Sequence, residues 1–408
     1  MAQDSSPITG MRPRPLIEAV SIEGRVDVSK DGSGLQVNIP ALNALALQSL
    51  ISLFDEKQQL FSRRVILTAQ GLHREGTSRK RTIIALLGLQ RLTESGEAPP
   101  LDVRSIRDAV LGDTSWVENV GDLGLLTWFT AECEPERLGR LLDEFDFETA
   151  LNSYSDGRQA RTLGLARFLA GISHARLACT ETLPDLTDVA VDTYHLLQEN
   201  QGEGGIFGHA AFTGFPQQTF CGRFGTFADQ IYAIYALSTF ARAFQIEEPL
   251  ESALGCANAV RALQGEMGQW WFLYHKRAIK VVNRYPVISL HQDGIAPVGL
   301  IALEAATGQS FHESINKGLS WIAGANELRN DLRSLDRGLI WDSIEPRRRI
   351  ANYWQAALNI ANIPHEPSEG SLRVRYEARP DHFGWLLYAF GRCGLPKARN
   401  AAKVAETR

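Results

Sequence analysis

The sequence lacks most of the signatures that announce nucleotide, metal or membrane chemistry. It has no Gly-x-x-x-x-Gly-Lys-Ser/Thr phosphate loop and no Gly-x-Gly-x-x-Gly following a strand, which removes the two familiar backbone cradles for phosphate groups. Close-spaced cysteine pairs are also missing, so no structural zinc site is expected. The five cysteines, Cys133, Cys179, Cys221, Cys256 and Cys393, are odd in number and scattered, mostly within apolar helical patterns. They read as buried free thiols of a reducing compartment, and the cytoplasm is the expected location. No segment approaches the ~20 apolar residues of a membrane helix. Residues Met1 to Arg14 carry two prolines but none of the parts of a secretory signal. An excess of basic charge is absent too: 42 Lys and Arg stand against 47 Asp and Glu, a formal charge of −5. That balance argues against general affinity for nucleic acid or anionic membranes. Nothing in the sequence sets the oligomeric state.

What is present is ordinary globular composition, 44% apolar and 22% charged, enough to bury a large core. Ile22 to Ile39 is the one segment that reads as strand. Ile22, Val26 and Val28 share a parity, Asp31-Gly32-Ser33-Gly34 supplies a turn, and Leu35, Val37 and Ile39 alternate with polar residues. From Leu42 onward helical periodicity dominates, and the rest reads as helix and loop. The expected organisation is a tail and β-hairpin over 1–40, one helical domain over 41–395 and a polar tail over 396–408.

Within the helical region a theme recurs: a Gly-containing or polar loop precedes a small-residue-rich apolar helix. The loop Arg74-Glu75-Gly76-Thr77-Ser78 precedes Thr82–Leu89, Asn119 to Gly124 precedes Leu125–Ala131, and Gly157-Arg158 precedes Thr162–Ala170. Later, Gly225 to Asp229 enters Ile231–Phe244, His291-Gln292-Asp293-Gly294 enters Ile295–Ala306, and Asp381-His382 enters Phe383–Phe390. Helices rich in Ala and Gly pack closely, and hairpins that bury their faces on neighbours can close into a ring. Six helix starts predict six hairpins, an all-α (α/α)6 toroid around a central cavity.

A second repeat supports the ring. Gln201-x-x-x-Gly205-x-Phe207 and Gln264-x-x-x-Gly268-x-Trp270 share one spacing, and Gly338-x-x-Trp341 is a looser echo. This element resembles the loop repeat of terpenoid cyclases and protein prenyltransferases, and Gly204 to Gly208 resembles the glycine-rich turn of the latter. The segment from Gln264 to Leu303 is similar to six-hairpin glycosidases and uronyl hydrolases. Both resemblances imply the α/α toroid and speak to fold before function.

In such a ring the loops entering the inner helices line one mouth of the cavity. This places Glu75, Asp122, Asp229, His291, Asp293, Asp381 and His382 together as candidates. Two carboxylates in different environments can divide acid and base roles on a sugar, and Asp229 with Asp293 is the leading pair. Each acid taken singly also suits a helix N-cap. His291 can shuttle a proton with Asp293 or Tyr285 as partner, or serve as a hydrogen-bonded core residue. Trp271 and Tyr274 offer flat faces to a sugar ring or to an isoprenoid, whereas the repeated aromatic Trp270 reads as packing. Arg373 and Arg375, with Arg379, flank Tyr376 and can clamp an anionic group. The run Arg347-Arg348-Arg349 reads as a solvated face. No metal or other cofactor is expected: Cys221 with Asp229 and a histidine has no spacing that supports zinc.

These residues point to a carbohydrate-active enzyme acting on an oligosaccharide, acidic or neutral, by hydrolysis, elimination or epimerisation. An isoprenoid cyclase is the alternative. It lacks the Asp-x-Asp-Asp motif of alkene-protonating cyclases, and Asp185-Leu186-Thr187-Asp188 is only a distant echo of the metal-binding acidic motif. A noncatalytic toroid is the third reading.

Overall fold

The computed structural model describes residues 37–156, 161–178, 185–210, 222–348 and 369–396. Six helices form an inner ring: α2 (Arg79–Glu94), α4 (Val120–Cys133), α7 (Thr162–Ala178), α9 (Phe227–Phe244), α11 (Ala296–Thr307) and α13 (Pro380–Phe390). Each packs on the next, and α13 packs back on α2, so the ring closes. Around it lie α1 (Ile39–Leu53), α3 (Val103–Leu111), α5 (Leu138–Glu144), α6 (Phe147–Asp156), α8 (Thr187–Glu199), α10 (Glu248–Ala262) and α12 (His312–Ile322). The chain enters on an outer helix. That helix, α1, covers the last inner helix, and Asn43 donates hydrogen bonds to the carbonyls of Phe390 (2.8 Å) and Gly394 (3.0 Å) to tie the two ends together. The six segments read as helix starts all fall in the inner helices.

The two rings differ as their burial requires. Outer helix α3 buries only Ile106 and Val110, one stripe, while α4 buries thirteen of its fourteen residues. Small residues let the inner helices touch along their backbones. A Cβ on Gly124 or Gly171 would overlap the backbone of the facing helix, and the same holds for Gly88 against Gly384. The result is a single apolar core that runs round the ring.

The Gln-Gly-aromatic repeat is the device that fastens one hairpin to the next. Gly205 and Gly268 take φ of +88° and +96°, conformations that side-chain-bearing residues rarely adopt. Gln201 Nε2 donates to Gly205 O (3.0 Å) and Ser252 O (2.9 Å), and Gln264 Nε2 donates to Gly268 O (2.9 Å) and Ser314 O (3.0 Å). The aromatic that follows is buried, and its backbone N–H donates to a helix-start glutamine: Phe207 to Gln230 (2.7 Å), Trp270 to Gln292 (3.1 Å). Trp270 has the packing role expected of it.

Short strands decorate one end only. β1 (Phe54–Asp55), β2 (Leu60–Thr68) and β3 (Gly71–Thr77) lie between α1 and α2, and β4 (Phe224–Thr226) leads into α9. β5 (Leu273–His275), β6 (Lys280–Asn283) and β7 (Val287–Ile288) precede α11. β8 (Arg333–Ser334), β9 (Leu339–Ile340), β10 (Ser343–Pro346), β11 (Leu372–Arg375) and β12 (Glu377–Ala378) precede α13. Every described strand thus sits in a connection from an outer helix to the next inner helix, at the N-terminal mouth of the ring. Connections at the other end are short, such as Gly308 to Phe311 between α11 and α12.

Two expectations need correction. Strand structure is not confined to Ile22–Ile39. Most of that segment lies outside the described residues, and Ile39 itself opens α1 with Asn38 as its N-cap. Among the described residues the N-terminal hairpin is β2–β3, antiparallel with Ser62 opposite Thr77, so Glu75 belongs to a strand and not to a helix-entering loop. Cysteine burial divides as well: Cys133 and Cys256 are buried, Cys393 is exposed, and Cys179 and Cys221 lie outside the described residues, as do Gly157-Arg158, Arg349 and the tail from 397.

Candidate active site

The most concentrated polar chemistry at the mouth is where α11 begins. Residues His291–Ile295 form a π-helical turn ahead of α11, and all five are buried. Such wider turns push extra side chains inward and recur at functional sites. Asp293, 0% exposed, accepts a hydrogen bond on Oδ1 from His382 Nε2 at 2.6 Å, joining the starts of two adjacent inner helices. Its Oδ2 is buried without a protein partner, and so is Nδ1 of His291. Burial, reinforced by the charges of Arg379 and His382, lowers the His291 pKa to about 3, so the imidazole is neutral at ordinary pH. His291 leans on Phe227, its ring centroid 5.2 Å away, which brings it beside the start of α9.

There Asp229 completes a capping box. Its Oδ2 accepts from the Thr226 backbone N–H (2.8 Å), from the Thr226 hydroxyl (2.7 Å) and from His209 Nδ1 (3.1 Å). The hydrogen bond to Asp229 raises the His209 pKa. Asp229 Oδ1 remains a buried atom without a protein partner. Capping and availability coexist in one carboxylate, one oxygen for each.

The other candidates are distributed around the rim. Asp122 is the third residue of α4, buried, accepting from Asn119 Nδ2 (3.0 Å) and paired with Lys80 (2.7 Å). Asp381 pairs with Arg81 (3.3 Å). Glu75 pairs with Arg64 (2.6 Å), whose guanidinium also reaches Glu377 (3.1 Å). Arg373 and Arg375 project from the same side of β11, but they are bound to acids: Arg373 to Glu345 (2.7 Å), Arg375 to Glu345 (3.3 Å) and Asp342 (3.7 Å). Arg379 pairs with Glu377 (2.7 Å) and Asp342 (3.4 Å). The expected arginine clamp is therefore a neutralised lattice. Tyr285 does not partner His291; its hydroxyl donates to Glu327 (3.2 Å) and its ring meets Trp271 edge-on, with Arg284 lying over Trp271 at 5.3 Å. Tyr274 is fully buried in β5.

Below Asp229, Asp293 and His382, about one helical turn further in, a cavity of about 10 Å³ lies between the inner helices. Trp128, Trp385, Tyr232 and Tyr235 line it, with Ile231, Ile295 and Val298. This is roughly the space that one water occupies, so a ring-sized group must rest above it at the mouth. Arg167 stands at its edge, its guanidinium 4.7 Å over Tyr232 and its Nη2 donating to the Tyr232 hydroxyl (3.2 Å). Burial works against its charge, yet Tyr232, Asp122 and Asp381 hold its pKa above the ordinary value.

Deeper still is a network that the sequence reading missed. Glu132 Oε1 accepts from Tyr388 (2.6 Å), Arg91 (2.8 Å), His174 Nδ1 (3.1 Å) and Trp128 Nε1 (3.2 Å). Burial opposes ionisation of Glu132, but Arg91 and His174 outweigh it and the pKa falls below the ordinary value. A charged Glu132 fixes the proton of His174 on Nδ1, leaving Nε2 to accept from Tyr235 at 2.8 Å. Five inner helices meet here, with Trp128 stacked on His174 (4.9 Å) and on Tyr235 (4.6 Å). The network holds the aromatic floor of the cavity flat.

No family model matches the chain, and no curated protein matches it. Solved structures do. Cellobiose 2-epimerase from Bacillus thermoamylovorans matches with a TM-score of 0.58 at 11% identity, over 86% of this chain and 99% of that one. A possible member of the GH105 family from Klebsiella pneumoniae matches with 0.57 at 11% identity, over 94% and 99%. Another possible member, from Salmonella enterica, gives 0.54 at 11%, over 89% and 96%. The fold is the six-hairpin α/α toroid. Identity at this level establishes the architecture alone. No described helix is long and apolar enough to cross a membrane.

Proposed function

We propose that the protein is a carbohydrate-active enzyme that works by acid/base catalysis at the N-terminal mouth of its toroid. One observation carries this reading: Asp229, His291 and Asp293, each at least nine-tenths buried, present Oδ1, Nδ1 and Oδ2 without protein partners at the entrances to adjacent inner helices. Buried polar groups are ordinarily satisfied, and those that are not mark places where a ligand completes the bonding. A sugar hydroxyl both donates and accepts, which suits a carboxylate oxygen beside a neutral imidazole. In this reading Asp293 and His382 form the proton-transfer pair, His291 accepts or returns a proton, and Asp229 supplies the second carboxylate. One sugar ring rests at the mouth beside them, above Trp128 and Trp385. The neighbours of the same fold include an epimerase for cellobiose and possible GH105 members, which supports the substrate class.

The test is incubation with neutral and uronic-acid oligosaccharides in deuterated water, followed by proton NMR. Hydrolysis releases new reducing ends, elimination creates an unsaturated ring, and epimerisation changes anomeric signals with deuterium entering the sugar. Turnover of one substrate, reduced about 100-fold or more in Asp293→Asn and His382→Gln, is expected. No turnover of any sugar by the wild type contradicts the proposal.

A second reading is favoured by the cavity itself, whose lining is entirely aromatic and aliphatic apart from the tyrosine hydroxyls. Such a lining also suits an isoprenoid. Stabilisation by farnesyl diphosphate with indifference to every sugar supports this alternative and removes the first.

A further inference from the structure

Arg167 is a charged residue in a place built for apolar ones. It is the one ionisable side chain between Thr162 and Ala170 on inner helix α7, and it is half-buried. Its backbone is locked in place: a Cβ on Gly124 of α4 would overlap Arg167 O, so the two helices touch there and the root of the side chain is fixed. The guanidinium lies 4.7 Å over the Tyr232 ring, and Nη2 donates to the Tyr232 hydroxyl (3.2 Å). Of the five N–H groups of an arginine, only this one finds an acceptor among the described residues. Nε is buried and has no partner. The acids that act on its charge are held elsewhere, Asp122 by Lys80 (2.7 Å) and Asp381 by Arg81 (3.3 Å). The arginines of the rim differ, since Arg373, Arg375 and Arg379 each bind a carboxylate.

Holding a guanidinium away from bulk water without acceptors is costly, so its presence marks a place where a ligand supplies them. The position suits the candidate chemistry. Tyr232 meets Trp385 edge-on with ring centroids 5.8 Å apart, and Trp385 follows His382 by about one helical turn on α13. A sugar above Trp128 and Trp385, with its reacting bond beside His382 and Asp293, thus has Arg167 on its Tyr232 side. We propose that Arg167 determines the substrate: its unpaired N–H groups receive the carboxylate of a uronic-acid ring, and the Tyr232 hydroxyl, which accepts from Arg167, donates its own proton to the same group. An arginine fork matches two carboxylate oxygens, where the hydroxymethyl group of a neutral sugar offers one. This inference rests on the carbohydrate reading and names its substrate class. It moves anion recognition from Arg373 and Arg375, whose charge is matched, to the interior of the ring.

Isothermal titration tests it with two pairs of trisaccharides, each pair differing only in carboxylate against hydroxymethyl: trigalacturonate with galactotriose of the same linkage, and triglucuronate with cellotriose of the same linkage. The full chain carrying Asp293→Asn serves as the base protein, so that turnover does not blur binding. In at least one pair the acid is expected to bind at least about tenfold more tightly. Adding Arg167→Met, which keeps the packing over Tyr232, removes that advantage and leaves the affinity for the neutral sugar unchanged. The melting temperature holds or rises, because no ion pair is broken. Arg167→Lys keeps the charge without the fork and decides the matter should the methionine variant not fold: a reduced advantage is expected, and an undiminished one overturns the proposal. Acid and neutral sugars bound alike, an advantage that survives Arg167→Met, or equal loss of both sugars in that variant also overturns it. Farnesyl diphosphate bound more tightly than any acidic sugar, and lost with Arg167→Met, reassigns the arginine to a diphosphate and does the same. The two proposals fail separately: preference for the acids without turnover of any sugar by the wild type leaves this site and removes the enzyme reading, whereas turnover of neutral sugars with no preference for the acids does the reverse.

Discussion

His291 and His174 are both buried and both lowered in pKa, to about 3 and about 4, chiefly because burial disfavours the charged ring. An unfolded histidine titrates near 6.5, so between that value and the folded pKa the unfolded chain binds a proton that the folded chain refuses. Stability contributed by these two residues is therefore full above about pH 6.5 and is lost as the pH falls toward 3–4. Each residue adds a slope of at most about 1.4 kcal/mol per pH unit. Urea denaturation of the wild type and of His291→Gln across this window checks it, and the variant is expected to show the shallower fall. Arg91 and Glu132 make the opposite kind of demand. Substituting Arg91→Met strands a buried carboxylate and is expected to cost about 3–5 kcal/mol, measurable in the same urea series. Little of this network is legible in sequence. Arg91, Glu132, His174, Tyr235 and Tyr388 come from five helices, and each alone reads as an ordinary surface or core residue. Arg167 did leave a signal, as a lone arginine inside the apolar run Thr162–Ala170.

At the scale of elements, backbone contact between inner helices depends on glycine. Gly171→Ala places a methyl group in the Gly124 backbone, and over-packing of this kind costs about 1–3 kcal/mol. A control at Gly308, where a Cβ meets nothing within 4 Å, separates crowding from the strain of its φ of +74°. Gln264→Ala removes the two hydrogen bonds that clip one hairpin to the next. The carbonyls of Gly268 and Ser314 lose their donor, with an expected loss of about 1–3 kcal/mol in denaturant melts. The inner helices were readable because their burial on all sides demands runs of Ala, Gly and Leu, and those runs are conspicuous. Hairpin β2–β3 was not. Arg63-Arg64 followed by Val65-Ile66-Leu67 breaks alternation, and His73-Arg74-Glu75 looks like loop, because this hairpin lies over the rim with much of β3 exposed.

For the molecule as a whole, topology does the gathering. Outer-to-inner connections carry every described strand and the candidate side chains, so residues from Glu75 to His382 reach one mouth although they span most of the chain. Sequence reading located that mouth by locating helix starts. It could not tell which polar residues were already satisfied there, because Arg373, Arg375 and Tyr285 find their partners only through tertiary contacts. The central claim is that a sugar is held and processed at this mouth. The most direct measurement is a crystal structure of Asp293→Asn grown with an oligosaccharide that the wild type converts. The sugar is expected with one ring over Trp128 and Trp385 and its reacting bond beside residue 293 and His382. A sugar bound away from this mouth, with the cavity taken by an apolar chain, contradicts the account.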